Sequence, residues 1–309
     1  MIYSLQNELI LRAKKLVYGH FFESTLRQCS SEYIEYKFND STRFANITLV
    51  HYEIFQDNQN EEEKQLLLTI IELLMLALDI MDDIQDEDFL EGPWTKHPIA
   101  TNLNIIMGFL LICLQEIDKA SLSIQMKNWL KNEIHSSILN SINGQQLDLK
   151  NEIHSEKDYI DMVTHKSGYL IKLACLLGTG NINPIQRSLI ENYALCIGVI
   201  NQIKNDMRDI MQWDKKNDFL NLKKTLPILY YLNSKNDNFI LIKKFFNQEI
   251  QYDELNNQTL DSLKHILLYG GSMEYCSVMQ NLYVYKSKGY IEQLSLSQAN
   301  KDRLIDTLI

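Results

Sequence analysis

Only four prolines, Pro93, Pro98, Pro184 and Pro227, interrupt the chain, with 11 glycines spread over its 309 residues. Proline ends or kinks a helix and glycine loosens one, so this spacing leaves uninterrupted stretches much longer than strands need. Within them, apolar residues recur every three or four positions over Leu66–Ile84, Ile105–Ile117, Met126–Leu149, Ser188–Met211, Leu222–Leu232 and Leu260–Leu294, the period of a helix that buries one face. The breaks fall at Asp57–Glu61, Leu90–Pro98, Gly178–Pro184, Trp213–Asn217, Ser234–Asn238 and Gln251–Asn257, all rich in Asn, Asp, Gly or Pro. The pattern predicts an all-α fold. A length of 309 residues allows one large core or two ordinary ones. No internal repeat or low-complexity linker divides the chain, so the expectation is a single-domain helical bundle over residues 1–309.

Charge and cysteine use narrow the function classes. A formal net charge of -10 repels phosphate backbones, which are held by clustered Lys and Arg, so no nucleic-acid partner is expected and multivalent cations are favoured. The five cysteines form no C-x-x-C pair and stand among apolar neighbours, which reads as reduced core thiols in a cytoplasmic protein. Met1–Lys15 lacks the charged-then-apolar profile of a signal peptide. Leu103–Leu114 is too short for a bilayer, so no transmembrane segment is expected.

Two acidic runs carry the chemistry. The first, Asp79-Ile80-Met81-Asp82-Asp83-Ile84-Gln85-Asp86-Glu87-Asp88, ends an otherwise apolar stretch. On a helix Asp79, Asp82, Asp83 and Asp86 share a face, because residues three, four and seven apart stack, and like charges at that spacing repel unless a cation sits between them. A solvated helix end is the bland alternative. A calcium loop is not, since the D-x-D-x-D-G spacing is missing. The second run, Gln202-Ile203-Lys204-Asn205-Asp206-Met207-Arg208-Asp209, repeats the design after the apolar stretch Leu189–Ile200 and sets Gln202, Asn205, Asp206 and Asp209 on one face. Two matched acidic ends can oppose each other across a central cavity. Lys166-Ser167-Gly168 and Asp218-Phe219-Leu220-Asn221-Leu222-Lys223-Lys224-Thr225-Leu226-Pro227 offer cations; alone they would be surface lysines. Gly144-Gln145-Gln146-Leu147-Asp148 puts polar groups into an apolar helix, where each needs a partner across helices or a pocket to face.

In this order the motifs resemble the trans-isoprenyl diphosphate synthase superfamily over roughly residues 40–230. Its Asp-Asp-x-x-Asp motif matches Asp82, Asp83 and Asp86, and its second aspartate motif matches Asn205, Asp206 and Asp209 with one Asp replaced by Asn. Its Lys-Thr-Gly, Gly-Gln-x-x-Asp and Gly-Lys-x-Thr-x-Pro elements match Lys166-Ser167-Gly168, Gly144-Gln145-x-x-Asp148 and Leu222-Lys223-x-Thr225-x-Pro227. The resemblance implies an all-helical prenyltransferase in which three Mg2+ ions, bound by Asp82, Asp83, Asp86, Asn205, Asp206 and Asp209, hold an allylic diphosphate. It further implies that Lys166 and Lys223 take the leaving diphosphate, with Gln145 and Gln202 offering carbonyl dipoles near the allylic cation. Homodimerisation is a family expectation as well.

The departures point to a branch. The family's paired Arg after the first motif is replaced by Leu90, Glu91 and Gly92, its His seven residues before that motif is Met75, and its Gly-Lys-Arg-x-Arg-Pro element is Thr42-Arg43-Phe44-Ala45-Asn46. A second diphosphate would lack its cations, so the acceptor is expected to carry none. The pattern is similar to the ComQ-type prenyltransferases of bacilli. That likeness implies transfer of a geranyl or farnesyl group to a tryptophan of a peptide pheromone precursor, with processing of that precursor, in competence quorum sensing. It implies work in the cytoplasm and leaves peripheral contact with the membrane open. Leu78 and Ala77, which would floor the prenyl tail, admit either length. The acceptor is expected near Arg43, Met75 and Trp94. Three competing readings are a short-chain synthase that elongates with isopentenyl diphosphate, a terpene cyclase, and a non-catalytic partner subunit. The cyclase fails on Asp209 and Trp213, which stand where Ser or Thr and then Glu are required.

Overall fold

The computed structural model describes residues 2–57, 59–86, 92–211, 219–251 and 255–309. Glu87, Asp88, Leu90, Glu91 and Asp218, the break at Trp213–Asn217 and part of those at Asp57–Glu61 and Gln251–Asn257 lie outside the described residues. Among the described residues there are helices and no strand. The α-helices are α1 (Ile2–His20), α2 (Ser24–Asp40), α3 (Arg43–Phe55), α4 (Glu61–Asp86), α5 (Ile99–Lys119), α6 (Ile124–Lys150), α7 (Glu156–Val163), α8 (Tyr169–Thr179), α9 (Pro184–Met211), α10 (Leu226–Asn233), α11 (Ile240–Phe246), α12 (Asn257–Tyr269), α13 (Ser272–Glu292) and α14 (Gln298–Leu308).

The starts are written in polar residues. The Asn60 side chain accepts from the backbone N–H of Glu62 and Glu63, so it caps α4, whose first turn then carries Glu61, Glu62 and Glu63, acids that suit a positive helix end. Ser155 and Asp158 form a capping box at α7. Asn256 and Ser297 cap α12 and α14.

Contacts divide the chain into two units, one of Met1–Leu139, Leu170–Ala194 and Tyr290–Ile309, the other of Asn140–Tyr169 and Leu195–Gly289. In the first unit α4 is the hub. Its residues from Gln65 to Ala77 are all buried, and a helix apolar all round has to be enclosed by others; α3 and α5 pack along it. Glu72, 1% exposed, reaches from α4 to accept from the Ala45 N–H at 2.6 Å, which ties α4 to the first turn of α3. Thr48 donates to the Ala174 carbonyl at 2.9 Å, and Gly178 lies so near Thr48 and His51 that a Cβ would stand 2.3 Å from the Thr48 carbonyl oxygen. In the second unit one core cluster gathers Tyr159, Met162, Val163, Val199, Ile203, Leu226, Leu229 and Cys276. Another gathers Ile210, Phe219, Ile228, Tyr231, Phe239, Phe245, Leu263 and Leu267.

Three expectations change. Leu260–Leu294 is two helices, α12 and α13, parted at Gly270 and Gly271, where Gly271 adopts a φ of 100° beside the Tyr230 hydroxyl. Leu222 has a φ of 57° and stands in a turn, so α10 starts only at Leu226, with Pro227 in its first turn. The apolar run Leu103–Leu114 extends into the 21-residue α5, which by length and apolarity alone could cross a bilayer, the one such helix among the described residues. One face of α5, with Ile105, Ile106, Phe109, Ile112, Cys113 and Ile117, is buried core. All five cysteines are buried and none is in a disulfide.

Candidate active site

The first acidic run, as far as Asp86, forms the C-terminal end of α4, whose last turn contains no basic residue. The C-terminal end of a helix is its negative end, so carboxylates there are unfavourable unless a positive charge joins them. The structure sorts the four acids of this face. Asp79 lies in an ion pair with Lys37 of α2 at 2.6 Å, whereas Asp82, Asp83 and Asp86 are half-buried. The Oδ1 atoms of Asp82 and Asp86 are shielded from solvent. Asp83 accepts from the Trp94 indole N–H at 2.8 Å.

The second acidic run lies on α9 in the other unit. Asp206, 2% exposed, accepts from Gln202 Nε2 at 2.8 Å through Oδ1, and from the Tyr159 hydroxyl at 2.6 Å and the Leu226 N–H at 3.4 Å through Oδ2. Burial first, and then the Asp206 charge, push the Tyr159 phenol well above its ordinary value, so it stays a donor. One turn on, Asp209 Oδ1 is shielded from solvent and makes no hydrogen bond; its neighbour is the Arg208 guanidinium at 3.7 Å. Asp206 and Asp209 line a cleft with Ile210, Phe219, Lys223, Thr225 and Ile228. Thr225 Oγ1 is likewise buried without a hydrogen bond. Asn205 is exposed and outside this cleft.

The cations of this unit are organised by one carboxylate. Asp148 on α6 lies 2.7 Å from Lys166 Nζ and 3.9 Å from Lys223 Nζ, so the Gly-Gln-x-x-Asp element positions both lysines. Lys166 sits in a π-turn, Thr164–Gly168, a helical irregularity common at functional sites. Gly144 admits that turn: a Cβ would stand 2.1 Å from the Lys166 backbone nitrogen. Ser141 donates to the Lys166 carbonyl at 2.8 Å. Gly198 serves the same turn from α9, where a Cβ would meet Gly168 Cα at 2.4 Å. The Lys223 segment is braced by Asn151, which donates to the Leu222 carbonyl at 2.7 Å and accepts from the Lys224 N–H at 2.9 Å. Gln202 is a tie, accepting from Ser167 at 3.3 Å while it donates to Asp206. Gln145 differs: both of its amide atoms are shielded and neither has a hydrogen-bond partner.

Among the described residues no three His, Cys, Asp or Glu groups converge as a ready-made metal cage. The donor set still suits a hard divalent cation. Carboxylate oxygens are its ligands, the shielded Asp209 oxygen makes no hydrogen bond, and acids crowd a negative helix end. Of the positions expected around the acceptor, Met75 and Trp94 are 1% and 4% exposed, which sets them in the core, and only Arg43, in the first turn of α3, is at the surface. Sequence reasoning missed Tyr159, Asn151 and the part Asp148 plays between the lysines. A Tyr in a short helix of mixed charged and apolar residues carries no motif, and the partners are brought together only by folding.

A polyprenyl synthetase family model matches residues 32–263. The chain is 32% identical over 271 residues to the tryptophan prenyltransferase ComQ of Bacillus subtilis subsp. natto, covering 86% of this chain and 81% of that one. It is 24% identical over 239 residues to a short chain isoprenyl diphosphate synthase of Methanocaldococcus jannaschii, covering 72% of each. The geranylgeranyl pyrophosphate synthetase of Pyrococcus horikoshii shares the fold, with a TM-score of 0.79 at 16% identity over 99% of this chain and 97% of that one. The chain therefore belongs to the polyprenyl synthetase family, as a ComQ-type prenyltransferase.

Proposed function

We propose that the protein transfers a geranyl or farnesyl group from its diphosphate to a tryptophan of a peptide pheromone precursor, and takes part in processing that precursor. The observation that carries this reading is the selective loss at the acceptor side. The residues suited to an allylic diphosphate remain, with Lys166 and Lys223 held by Asp148 and with Asp206 and Asp209 lining a cleft. At the family's second diphosphate position Met75 is closed into the core and Arg43 alone keeps a charge.

In this reading Asp82, Asp83 and Asp86 on α4 hold magnesium, as do Asn205, Asp206 and Asp209 on α9, three ions in all. Bound magnesium would neutralise the charge that builds on the departing diphosphate. Lys166 and Lys223 receive that diphosphate as the C–O bond breaks, Gln145 turns its unsatisfied amide toward the start of the prenyl chain, and Gln202 keeps Asp206 in place. Apolar walls exclude the water that would quench the cation. The indole then supplies the electron pair for the new carbon–carbon bond, and the proton shed by the resulting cation passes to the released diphosphate. Partner copies pair through α5, whose Ile99, Leu103, Met107 and Leu111 recur every fourth residue and stay 46 to 62% exposed. Such an apolar stripe supports a homodimer over a lone chain, in the cytoplasm.

The test supplies purified protein with Mg2+, geranyl or farnesyl diphosphate, and either isopentenyl diphosphate or a tryptophan peptide encoded beside its gene, and weighs the products. A prenyl mass on the peptide that disappears in Asp82→Ala supports the reading. Elongation of isopentenyl diphosphate alone makes the protein a short-chain synthase, and no magnesium-dependent binding of any allylic diphosphate makes it a non-catalytic subunit.

A further inference from the structure

We infer that Trp94 is a positioning residue for prenyl transfer, its indole N–H fixing the Asp83 carboxylate so that the remaining lone pairs face a metal ion. The inference rests on the reading of Asp83 as a metal ligand.

Two features set this contact apart from ordinary core packing. A buried indole N–H needs an acceptor, and the commonest available are backbone carbonyls; here the acceptor is the middle carboxylate of the acidic run, at 2.8 Å. The indole is also held from several sides. Tyr33 and Tyr36 meet the ring edge-on with centroids 5.7 Å away and interplanar angles of 82° and 88°. Asn102, itself 3% exposed, donates to the Trp94 carbonyl at 2.9 Å and accepts from the Tyr33 hydroxyl at 2.7 Å. Gly92 leaves room for the ring to fold back over its own chain, since a Cβ there would stand 2.2 Å from the indole. A carboxylate that ligates a metal is usually held by a hydrogen bond behind it, and loss of that partner weakens the metal by about 10- to 100-fold. A neutral donor does this without cancelling the negative charge the metal requires. The short turn Pro93–Lys96 thus brings an aromatic clamp onto the first motif.

The test measures Mn2+ binding to the full chain with inorganic diphosphate present, by electron paramagnetic resonance and without turnover. Trp94→Phe keeps an aromatic ring, though a smaller one, and deletes the donor. It is expected to raise the Mn2+ dissociation constant about tenfold, to lower the melting temperature by a few degrees through the lost hydrogen bond and the smaller ring, and to have no further effect on Mn2+ binding in an Asp83→Ala background. Should Trp94→Phe not fold, Asn102→Ala, which loosens the seat of the indole, enters the same cycle. An unchanged Mn2+ titration in these variants, or a loss that persists in Asp83→Ala, overturns the role of Trp94. If Asp83→Ala alone leaves Mn2+ binding intact, the assignment of Asp83 as a ligand is what fails.

Discussion

Tyr159→Phe removes one oxygen from the second unit and tests whether Asp206 is held by the protein before any metal arrives. Tyr159 is 1% exposed, and its hydroxyl donates to Asp206 Oδ2 at 2.6 Å. The substitution leaves no cavity beyond that atom, so the packing of Tyr159 against Met162, Val199 and Cys276 survives. The loss is one hydrogen bond to a charged group, worth about 2 kcal/mol; Gln202 and the Leu226 N–H still reach the carboxylate and keep the cost from growing. With an unfolding entropy of about 2.1 cal/mol/K per residue over 309 residues, the melting temperature should fall by about 3 °C. Differential scanning calorimetry at pH 7.5 without Mg2+ reads the effect directly. The phenol is far from titrating there, so the loss should be the same at pH 6.5. A Tyr159→Phe melting temperature within half a degree of wild type would show that the bond carries no net energy, and the account of Asp206 as a preorganised carboxylate would be wrong.

Glu72 gives a pH dependence of defined sign. Burial raises its pKa to about 7, above the value of an exposed carboxyl, so folding becomes less favourable as pH rises from about 4.5 to about 7 and levels off beyond. Glu72→Gln should therefore gain on wild type across that window, by at most about 3 kcal/mol, in urea unfolding at pH 5 and pH 8; a constant difference refutes it. The wild-type profile alone conceals this, because buried His51, with its pKa lowered to about 4 by desolvation, loses stability in the opposite direction as pH falls below about 6.5. Gly144→Ala drives a methyl to within 2.1 Å of the Lys166 backbone nitrogen; the expected cost is about 1–3 kcal/mol, with a higher KM for the allylic diphosphate, and wild-type stability and KM together would refute the close approach. Asp148→Asn leaves Lys166 and Lys223 without their common counter-charge, so the two ammoniums separate; KM for the allylic diphosphate should rise about tenfold, and an unchanged or lower KM removes Asp148 from the binding machinery.

The helical class was legible because proline is scarce and the 3.6 period runs long, and α4, α6 and α9 emerge within a few residues of their expected spans. The misses have local causes. α1, α2 and α3 mix polar and apolar residues too evenly to show a stripe in sequence, although Tyr33, Ile34, Phe38, Ile47 and Tyr52 are buried in them. Gly270-Gly271 was absorbed into a period that continues on both sides of it. The motif residues carry their spacing in the sequence, so Asp82, Asp83, Asp86, Asp206, Asp209, Lys166 and Lys223 could be singled out there as candidates. The tyrosine, asparagine and tryptophan that hold them could not, because Tyr159, Asn151 and Trp94 make contacts over separations of 47, 71 and 11 residues that only the fold brings about.

The two aspartate sets differ in how the protein treats them, and this bears on the proposed loss of an acceptor diphosphate site beside a retained donor site. Asp206 sits among neutral donors, a Tyr hydroxyl, a Gln amide and a backbone N–H, which hold a buried carboxylate in position without spending its charge. Lys166 and Lys223 are paired with Asp148. On α4 the same economy appears at Asp83, where the donor is an indole, while the nearby cation Lys37 is drawn off to Asp79. Neutral donors maintain negative potential where metal ions would bind, and paired lysines keep positive charge where a leaving diphosphate would arrive. An isopentenyl diphosphate site would need further fixed cations close to α3 and α4. Met75, at the family's His position, is neutral and buried, and Glu72 on the same helix is a buried acid, so neither offers a positive charge to a second anion, in keeping with an uncharged indole as the proposed acceptor.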